Sequence, residues 1–380
     1  MNGRWSNFSG GWLVAVAAAL ALAAPALGQQ PIAPPQGEQG RLRADRIRYD
    51  ARNRVFEARG NVTLQIGDTT ITCQVLVYHE RTRIAWAEGG AKVVQPHTTL
   101  AAPTVKYEAD PQVVHASGGV VVTQPNLTLR SQTLKYRSRE QVAFAEGQVE
   151  LVTEGSTLAG PSLWADLAAK RARVPGPARL VRKGGPPPRG RETDRVLAAL
   201  AKEDTTITAQ KLMTFEWQKT NEATAEGDVR IEQVDKKARA EKAVYSEAKD
   251  QIELVGGVRL DQVSGQWLVR ERLANPPRTD EERKALESPA TLTSERLVIT
   301  ISTRDSVATG NVRVTQAGRS ATGDRGEYDD LNGKIVLTGR RVRLERDDGS
   351  WLEAEKVAVS LREDTFEAFG TVDTVFKVRP

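Results

Sequence analysis

The chain has 380 residues, a formal net charge of +5, 5% aromatic residues and a single cysteine. A charge this mild and evenly spread is compatible with an anionic amphiphile or a membrane headgroup, but it argues against a nucleic-acid partner. One cysteine excludes an internal disulfide, and the few aromatic residues argue against a bulky globular core.

The first 28 residues are predicted to be a secretory signal. Arg4 precedes an Ala/Leu/Val run at 13–22, and small residues suited to signal cleavage follow that run. The run is too short and too rich in alanine for a typical membrane span, although an uncleaved anchor is the alternative. No cysteine follows the cleavage region, which excludes a lipoprotein anchor, and residues 29–40 are predicted to form a flexible tether.

Residues 41–180 form a repeat array with a period of 29 residues. Four tyrosines follow this period, and each precedes a glycine by 11 residues: Tyr49, Tyr78, Tyr107 and Tyr136, with Gly60, Gly89, Gly118 and Gly147. A repeat array buries its core only by stacking neighbouring units. We therefore expect a long surface or groove rather than one compact active site.

A second array with the same period occupies residues 205–380. An insertion at 181–204 separates it from the first array, and a loop at 264–290 interrupts it, so that ten units are predicted in all. Short helices are expected inside the two insertions, at 193–202 and at 279–286, where the second begins with a capping-box pattern.

Each unit shows the alternation of apolar and polar residues that is typical of half-buried strands. Turn-forming residues recur about every 14–15 residues, so each unit is predicted to contain two strands and two turns. A glycine inside a strand marks a bulge, a bend or a close approach of backbone. Because a glycine recurs at the same place in every unit, the sheet is predicted to fold along one crease.

The predicted fold class is all-β: a repeat-built antiparallel meander folded into a jellyroll-like or β-taco-like trough, in two tandem arrays. In this arrangement two faces of the sheet are opposed across an apolar interior. Cys73 takes the small-residue position that Ala44, Ala102 and Ser131 occupy in sister units. It is therefore predicted to be a buried structural thiol.

Patterns for catalysis or cofactor binding are absent from the sequence. The histidines His79, His97 and His115 are 18 residues apart, which is neither a metal-ligand spacing nor the repeat period. Solvated turn positions are expected for all three. No phosphate-binding loop, nucleophile elbow or zinc-protease motif occurs, so the sequence predicts no catalytic residue, metal or cofactor, and no enzyme.

Two other residue types are predicted to be structural. Ala-Glu-Gly triplets recur with the repeat, which indicates outward-facing carboxylates of similar role: Glu88, Glu146 and Glu226. Five tryptophans are expected to be core fillers or sheet-end plugs, with ligand platforms as the alternative: Trp86, Trp164, Trp217, Trp267 and Trp351.

The repeating phrase Ala-x-x-Ile-x-Tyr-Asp, a polar turn, then Ala-x-Gly-Asn-Val-x-Leu resembles the repeats of the LptA/OstA family. Members of that family are periplasmic lipopolysaccharide-transport bridge proteins with organic-solvent-tolerance domains. The matching segments are Ala44 to Leu64, Ala102 to Val122, Ser131 to Leu151, Ala240 to Leu260 and Ser294 to Val314. No single residue is chemically diagnostic, but period, phase and secretion signal agree over nearly all of the mature chain.

The resemblance implies a periplasmic protein whose apolar trough shelters the acyl chains of lipopolysaccharide, or of a similar envelope lipid, during transport to the outer membrane. Each CH₂ group kept from water is worth about 0.8 kcal/mol, so a lipid with several chains needs such cover. In this family, open sheet edges join inner- and outer-membrane transport proteins by strand addition, and protomers can stack head to tail.

When the family's lining positions are transferred to this chain, they fall on apolar residues near the crease that strand alternation points inward. In the first array they are Ile47, Phe56, Val62, Leu64, Leu76, Val93, Val105, Val120, Val122, Leu134, Val149 and Leu151. In the second array they are Leu212, Val229, Ile231, Val258, Leu260, Leu297, Val312 and Val314. The alternative for each is that it packs against its counterparts across a dry sandwich.

The chain departs from the family pattern in its length, since it has two arrays and two insertions. It lacks the large C-terminal barrel of the outer-membrane member and a convincing membrane helix, so a bridge protein is expected. The alternative function is a structural envelope repeat protein, a spacer or adhesin-like solenoid with a filled interior. The small and medium aliphatics on the inward face favour the trough.

Overall fold

The structure is a computed structural model that describes residues 40–153, 155–184, 204–216, 222–233, 236–246, 248–263, 276–277, 280, 283, 287–300, 303, 305–316, 318–329, 334–360 and 365–376. The predicted signal and tether, and the helix predicted at 193–202, lie outside these residues. Of the helix predicted at 279–286, only Asp280 and Arg283 are described, and both are helical. A helix with the length and hydrophobicity for a membrane crossing does not occur among the described residues.

Strands dominate the described residues, and the predicted all-β class is confirmed. The strands are β1 (Gly40–Arg43), β2 (Arg46–Asp50), β3 (Val55–Ile66), β4 (Thr69–His79), β5 (Ile84–Gln95), β6 (Thr98–Glu108), β7 (Val113–Gln124), β8 (Leu127–Arg137), β9 (Val142–Thr153), β10 (Ser156–Asp166), β11 (Arg171–Pro175), β12 (Ala178–Arg182), β13 (Thr205–Ala209), β14 (Leu212–Glu216), β15 (Glu222–Glu232), β16 (Lys236–Ser246), β17 (Gln251–Gln262), β18 (Ala290–Thr300), β19 (Ser306–Gln316), β20 (Arg319–Asp329), β21 (Lys334–Arg346), β22 (Trp351–Ser360), β23 (Thr365–Phe369) and β24 (Asp373–Val375).

The chain divides into two compact units. Of the described residues, the first unit contains 40–180 and 212–216, and the second contains those between 181 and 211 and between 222 and 376. β14 was expected in the second array, but it belongs to the first unit because it pairs antiparallel with β11, with Ala172 opposite Phe215.

Both units are antiparallel meanders in which strands that follow each other in sequence pair side by side. This holds from β3 to β10 in the first unit and from β15 to β22 in the second. Short strands flank each meander. β1 and β2 both pair with β3, and β23 and β24 both pair with β22.

A bulge interrupts the long strands at equivalent places, as the recurring glycine predicts. In β5 the register shifts between Glu88 and Ala91, and the two residues between them, Gly89 and Gly90, have φ angles of +78° and +84°. The same bulge, with a glycine at positive φ, lies in β3, β7, β9, β15, β17 and β19. Because an extra residue bends its strand, the repeated bulge makes a continuous crease.

The crease divides each strand into two halves with one common buried face. In β7, Val114, Ala116, Val120 and Val122 are at most 2% exposed, whereas Ser117, on the other face, is exposed. In the described part of the first unit, strands and turns are the only elements, so the two halves of the sheet cover each other. We call the covered side the inner face and the other side the outer face. This is the jellyroll-like arrangement that the sequence predicted.

Hydrogen bonds between successive turns keep the repeats in register. Arg54 and Arg83 have φ angles of +54° and +53° at the ends of equivalent turns. The carbonyl of Arg54 accepts a hydrogen bond from the Glu80 amide at 3.0 Å, and that of Arg83 accepts one from the Ala109 amide at 3.0 Å. Each turn is therefore tied to the next one along the array.

Candidate functional site

The inner face of the first unit is a continuous apolar surface that the repeat builds, and the residues predicted to line a trough lie on it. Nine of them are buried: Val62, Leu76, Val93, Val105, Val120, Val122, Leu134, Val149 and Leu151. Phe56 and Leu64 are half-buried, and Ile47 is 48% exposed. The inner face is thus apolar from β2 to β10.

Exposure of the inner face falls along the array. The repeated tyrosine of each unit lies at the same inner-face position, and it is 48% exposed for Tyr49, 36% for Tyr78 and 3% for Tyr136. Tyr49 packs beside Phe56 with ring centroids 6.0 Å apart. The β2–β4 end of the inner face is therefore open to solvent, and the β7–β9 part is closed.

In the second unit most of the predicted residues also lie on the inner face. Val229, Ile231, Val258, Leu297 and Val312 are buried, and Leu260 and Val314 are half-buried.

Leu212 was predicted to point inward with these residues, and that placement is wrong. It lies on β14 of the first unit, where Met213 and Phe215, at 2% and 3% exposure, take the inner positions. The cause is an additional residue between Lys211 and the crease glycine: Lys211 approaches Gly227 from 16 residues upstream, whereas the equivalent residue, Gln74, lies 15 upstream of Gly89. Counting back from Gly227 across that additional residue assigns every side chain of β14 to the wrong face.

Polar residues border the inner face at the strand ends away from the tyrosines. The Nε2 atoms of Gln95 and Gln124 donate hydrogen bonds to the hydroxyls of Thr69 and Thr98, each at 3.1 Å. In the second unit Gln233 donates to the Thr205 hydroxyl at 3.0 Å. The inner face therefore has one rim of tyrosines and one of hydrogen-bonded amides and hydroxyls.

Cys73 lies on the inner face at the crease, as predicted from its sister positions. It is a free thiol with 5% exposure, and Ala102 and Ser131 are equally buried. Burial raises the pKa of the Cys73 thiol, so the group stays protonated. Its role as a structural buried thiol is confirmed.

Two predictions about polar and aromatic residues are wrong. His115 was expected in a solvated turn, but it lies within β7 on the outer face, and burial lowers its pKa. Trp86 and Trp164 were expected to be core fillers or sheet-end plugs, but they lie half-buried on the outer face within β5 and β10, and Trp351 is also half-buried on the outer face. Each has a cation over its ring, and Arg343 lies 4.9 Å from the Trp351 ring centroid. Trp217 and Trp267 lie outside the described residues.

The recurring carboxylates face outward as predicted. Glu88 and Glu146 are exposed, and Glu226 is paired with Lys242 at 2.7 Å. In the part of the chain that the structure describes, His, Cys, Asp and Glu side chains do not form a group of three that could hold a metal ion.

Sequence reasoning missed several inner-face residues that are as buried as the predicted ones. Leu100 and Val114 are each 1% exposed, and Tyr245 is fully buried. They follow the same strand alternation. Assigning alternate residues of each strand to the inner face, starting from the crease glycine, would have found them.

Comparisons with known proteins place two regions of the chain in families. Residues 36–160 match the model of the OstA-like protein family. Residues 199–270 match the model of the LptA/LptD N-terminal domain lipopolysaccharide transport proteins. No curated protein sequence matches the chain.

The solved structures that show a likeness to the chain include two from different organisms. One is LptH of Pseudomonas aeruginosa, the LptA-homologous periplasmic component of the lipopolysaccharide transport device, at 18% identity. That match covers 31% of this chain and 96% of LptH, with a TM-score of 0.29. The other is the WD40 domain of SCAP from fission yeast, at 9% identity, with 92% and 90% of the two chains covered and a TM-score of 0.13.

The two family models match successive parts of the repeat-bearing chain, one in each array, and the second of them describes lipopolysaccharide transport proteins. In these two regions, 36–160 and 199–270, the chain carries domains of the LptA/OstA-like family.

Proposed function

We propose that this protein is a periplasmic lipid-binding bridge. In this proposal its inner face shelters the acyl chains of lipopolysaccharide, or of a similar envelope lipid, during transport to the outer membrane. The observation that carries the proposal is the inner face itself, which is apolar across successive strands and open to solvent at its β2–β4 end. The two family matches supply the transport context.

Acyl chains enter at the open end of the first unit. Ile47, Tyr49 and Tyr78 present apolar surface to water there, and a chain laid over them removes both its own surface and theirs from solvent. Each CH₂ group buried in this way contributes about 0.8 kcal/mol. Entry at this end therefore needs no rearrangement of the closed part.

For an acyl chain to move along the inner face beyond β6, the two halves of the sheet have to separate. Val120 and Val122 are 1% and 2% exposed, so they contact other inner-face side chains and not solvent. When an acyl chain takes the place of those contacts, each valine side chain exchanges an apolar protein neighbour for an apolar lipid neighbour. The inner face stays dry during the exchange, which limits its free-energy cost.

The rims suit the polar part of an acylated lipid. Tyr49 and Tyr78 line one rim, and Gln95 with Thr69 lines the other. Hydroxyl and amide groups at the boundary of an apolar surface satisfy the ester, amide and hydroxyl groups that join acyl chains to a headgroup. The saccharide remains in water.

Partner proteins add strands at the sheet edges in this proposal. At the C-terminal end of the second unit, Phe366, Phe369 and Val375 are 45–53% exposed near the short strands β23 and β24. Edge strands with apolar side chains recruit further strands. Inner- and outer-membrane transport proteins, or a second copy stacked head to tail, are the proposed partners, and the role is not catalytic.

Mass spectrometry of the mature protein purified gently from its native envelope tests this function. We expect a bound acylated lipid, and a radiolabelled lipid A analogue that displaces it in saturable fashion. Absence of bound lipid together with absence of analogue binding would contradict the proposal.

The second candidate is a structural spacer with a filled interior. The near-complete burial of Val120, Val122 and Leu151 favours it, because these side chains already fill the space between the sheet halves. The same experiment separates the two functions, since a spacer binds no lipid.

A further inference from the structure

The outer face of the first unit carries an ordered row of aromatic and basic side chains. One residue from each of seven neighbouring strands, β5 to β11, lies directly opposite the next one in the strand register. We call these residues the outer row: Trp86, Lys106, His115, Lys135, Phe144, Trp164 and Arg173. Six strand spacings of about 4.8 Å give the row a length of roughly 29 Å.

Rings and cations are neighbours along the row. The Lys106 ammonium lies 5.7 Å from the centroid of the Trp86 ring, and the Arg173 guanidinium lies 5.3 Å from that of Trp164. Such cation–π pairs hold the rings partly exposed on the sheet surface. Trp86 and Trp164 are half-buried, so part of each ring remains open to a ligand.

A groove of about 440 Å³ opens at the middle of the row. Its lining includes His115, Lys135 and Phe144, with the hydroxyls of Ser117 and Thr133 beside them. Leu134 and Ala116 contribute only the floor, since their side chains are buried on the inner face. The groove is therefore an outer-face feature that is separate from the inner face.

The groove lining carries two cations, Lys135 and Arg137, and one carboxylate, Glu146, so its charge favours an anion. Lys106 is paired with Glu108 at 2.7 Å, but Lys135 makes no ion pair or hydrogen bond with another residue that the structure describes. His115 lies between these two lysines, and burial, helped by the lysine charges and opposed by Glu108, lowers its pKa. At neutral pH the imidazole is therefore largely uncharged and can both donate and accept a hydrogen bond.

We propose that the outer row binds an anionic oligosaccharide laid across the strands. Flat aromatic rings take the apolar faces of pyranose rings, and Lys135 takes their carboxylate or phosphate groups, since Arg137 is already paired with Glu140 at 3.0 Å. The spacing between strands is close to the length of one pyranose, so successive sugars meet successive strands. An extended peptide gains less here, because the backbone groups of these central strands are already paired within the sheet.

Isothermal titration of the full mature protein with hexagalacturonate and with phosphorylated maltohexaose tests the proposal. We expect saturable binding of at least one of them at a single site per chain, and much weaker binding of unmodified maltohexaose. Lys135→Gln and Phe144→Leu should each weaken the affinity by roughly tenfold, since they remove a charge-assisted contact and a stacking ring.

Lys92→Gln is the matched control, because Lys92 is an exposed lysine beyond the crease on β5 and lies outside the row. Its affinity should stay within about twofold of the original, as expected for a distant surface charge. Trp86→Leu, at the far end of the row, provides a second aromatic variant, and circular dichroism verifies that each variant is folded.

Three results would overturn the proposal. The first is no saturable binding of either anionic hexasaccharide. The second is an equal loss of affinity in the Lys92→Gln control, which would show a diffuse charge effect. The third is hexaglutamate binding as tightly as the saccharides with the same dependence on Lys135, which would identify an acidic peptide as the ligand class. None of these results bears on lipid binding by the inner face.

Discussion

Gly89 and Gln74 approach each other so closely at the crease between β5 and β4 that a Cβ atom on Gly89 would stand 2.6 Å from the Cβ atom of Gln74. Equivalent approaches join Gly118 to Pro103 and Gly147 to Gln132. The next residue, Gly90, has open space around its Cα atom. The crease therefore depends on the first glycine of each bulge for steric room.

Gly89→Ala should destabilise the crease strongly. The substitution combines a strained φ of +78° with a steric clash against a neighbouring strand, so we expect a loss of at least about 2 kcal/mol. Hydrogen exchange of the β4 and β5 amides measures this loss locally, which suits a protein with two units better than a global unfolding curve.

Gly90→Asn is the matched control for that substitution. Asn61 and Asn311 take the same bulge position in sister units, with φ angles of +44° and +49°. Asparagine tolerates this conformation, so the loss should stay below about 1 kcal/mol. Equal losses for both variants would mean that φ strain alone, and not close approach, fixes the crease.

Stability should fall in alkaline solution because three acidic groups are held in neutral form by full or partial burial. Burial raises the pKa of Cys73, Tyr107 and Tyr136 above the ordinary values. The unfolded chain releases these protons first, so their stabilising effect is present below the unfolded pKa values and is lost as pH rises through the range above about 8.5 to 10.

Thermal unfolding midpoints between pH 7 and pH 11 measure this loss. Tyr136→Phe should flatten the alkaline decline, because it removes a nearly buried phenol. Tyr78→Phe, at the equivalent but 36% exposed position, should change the decline less. A decline that Tyr136→Phe leaves unchanged would show that this phenol does not drive it.

Ile47→Ser should reduce lipid binding with little effect on folding. Ile47 is an inner-face residue with 48% exposure, so its removal creates no buried cavity, but it takes apolar surface from the open end. The lost surface amounts to about three methyl or methylene groups, and we expect roughly a tenfold or greater fall in affinity for a lipid A analogue.

Arg48→Ser controls for the Ile47 variant, because Arg48 is the next residue of β2 and points to the outer face. Its lipid affinity should be close to the original. If the two variants bind lipid equally well, the open end of the inner face is not the entry site.

Much of the architecture was readable from the sequence because the repeat supplies the same signal many times. The 29-residue spacing and the glycine positions predicted the crease, and strand alternation placed Val122 and Val258 on the buried side. The face of Leu212 could not be predicted, since one additional residue between Lys211 and Gly227 reverses the parity and no local pattern marks it.

The outer row also escaped prediction, for a different reason. Trp86 and His115 lie on different strands, and only the register of the folded sheet places them in one line. Aromatic residues in a mainly apolar repeat suggest a core, yet their cationic neighbours come from the next strand and cannot be recognised by sequence distance.

The most direct test of the central claim uses isotope-filtered nuclear Overhauser measurements between a bound acylated lipid and the valine methyl groups. Val122 and Val121 are adjacent on β7 but point to opposite faces, and Val93 and Val94 form a second such pair on β5. Acyl protons should show contacts to the methyl groups of Val122 and Val93 and none to those of Val121 and Val94. Contacts to the outer pair, or bound lipid without any contact to the inner pair, would contradict the account.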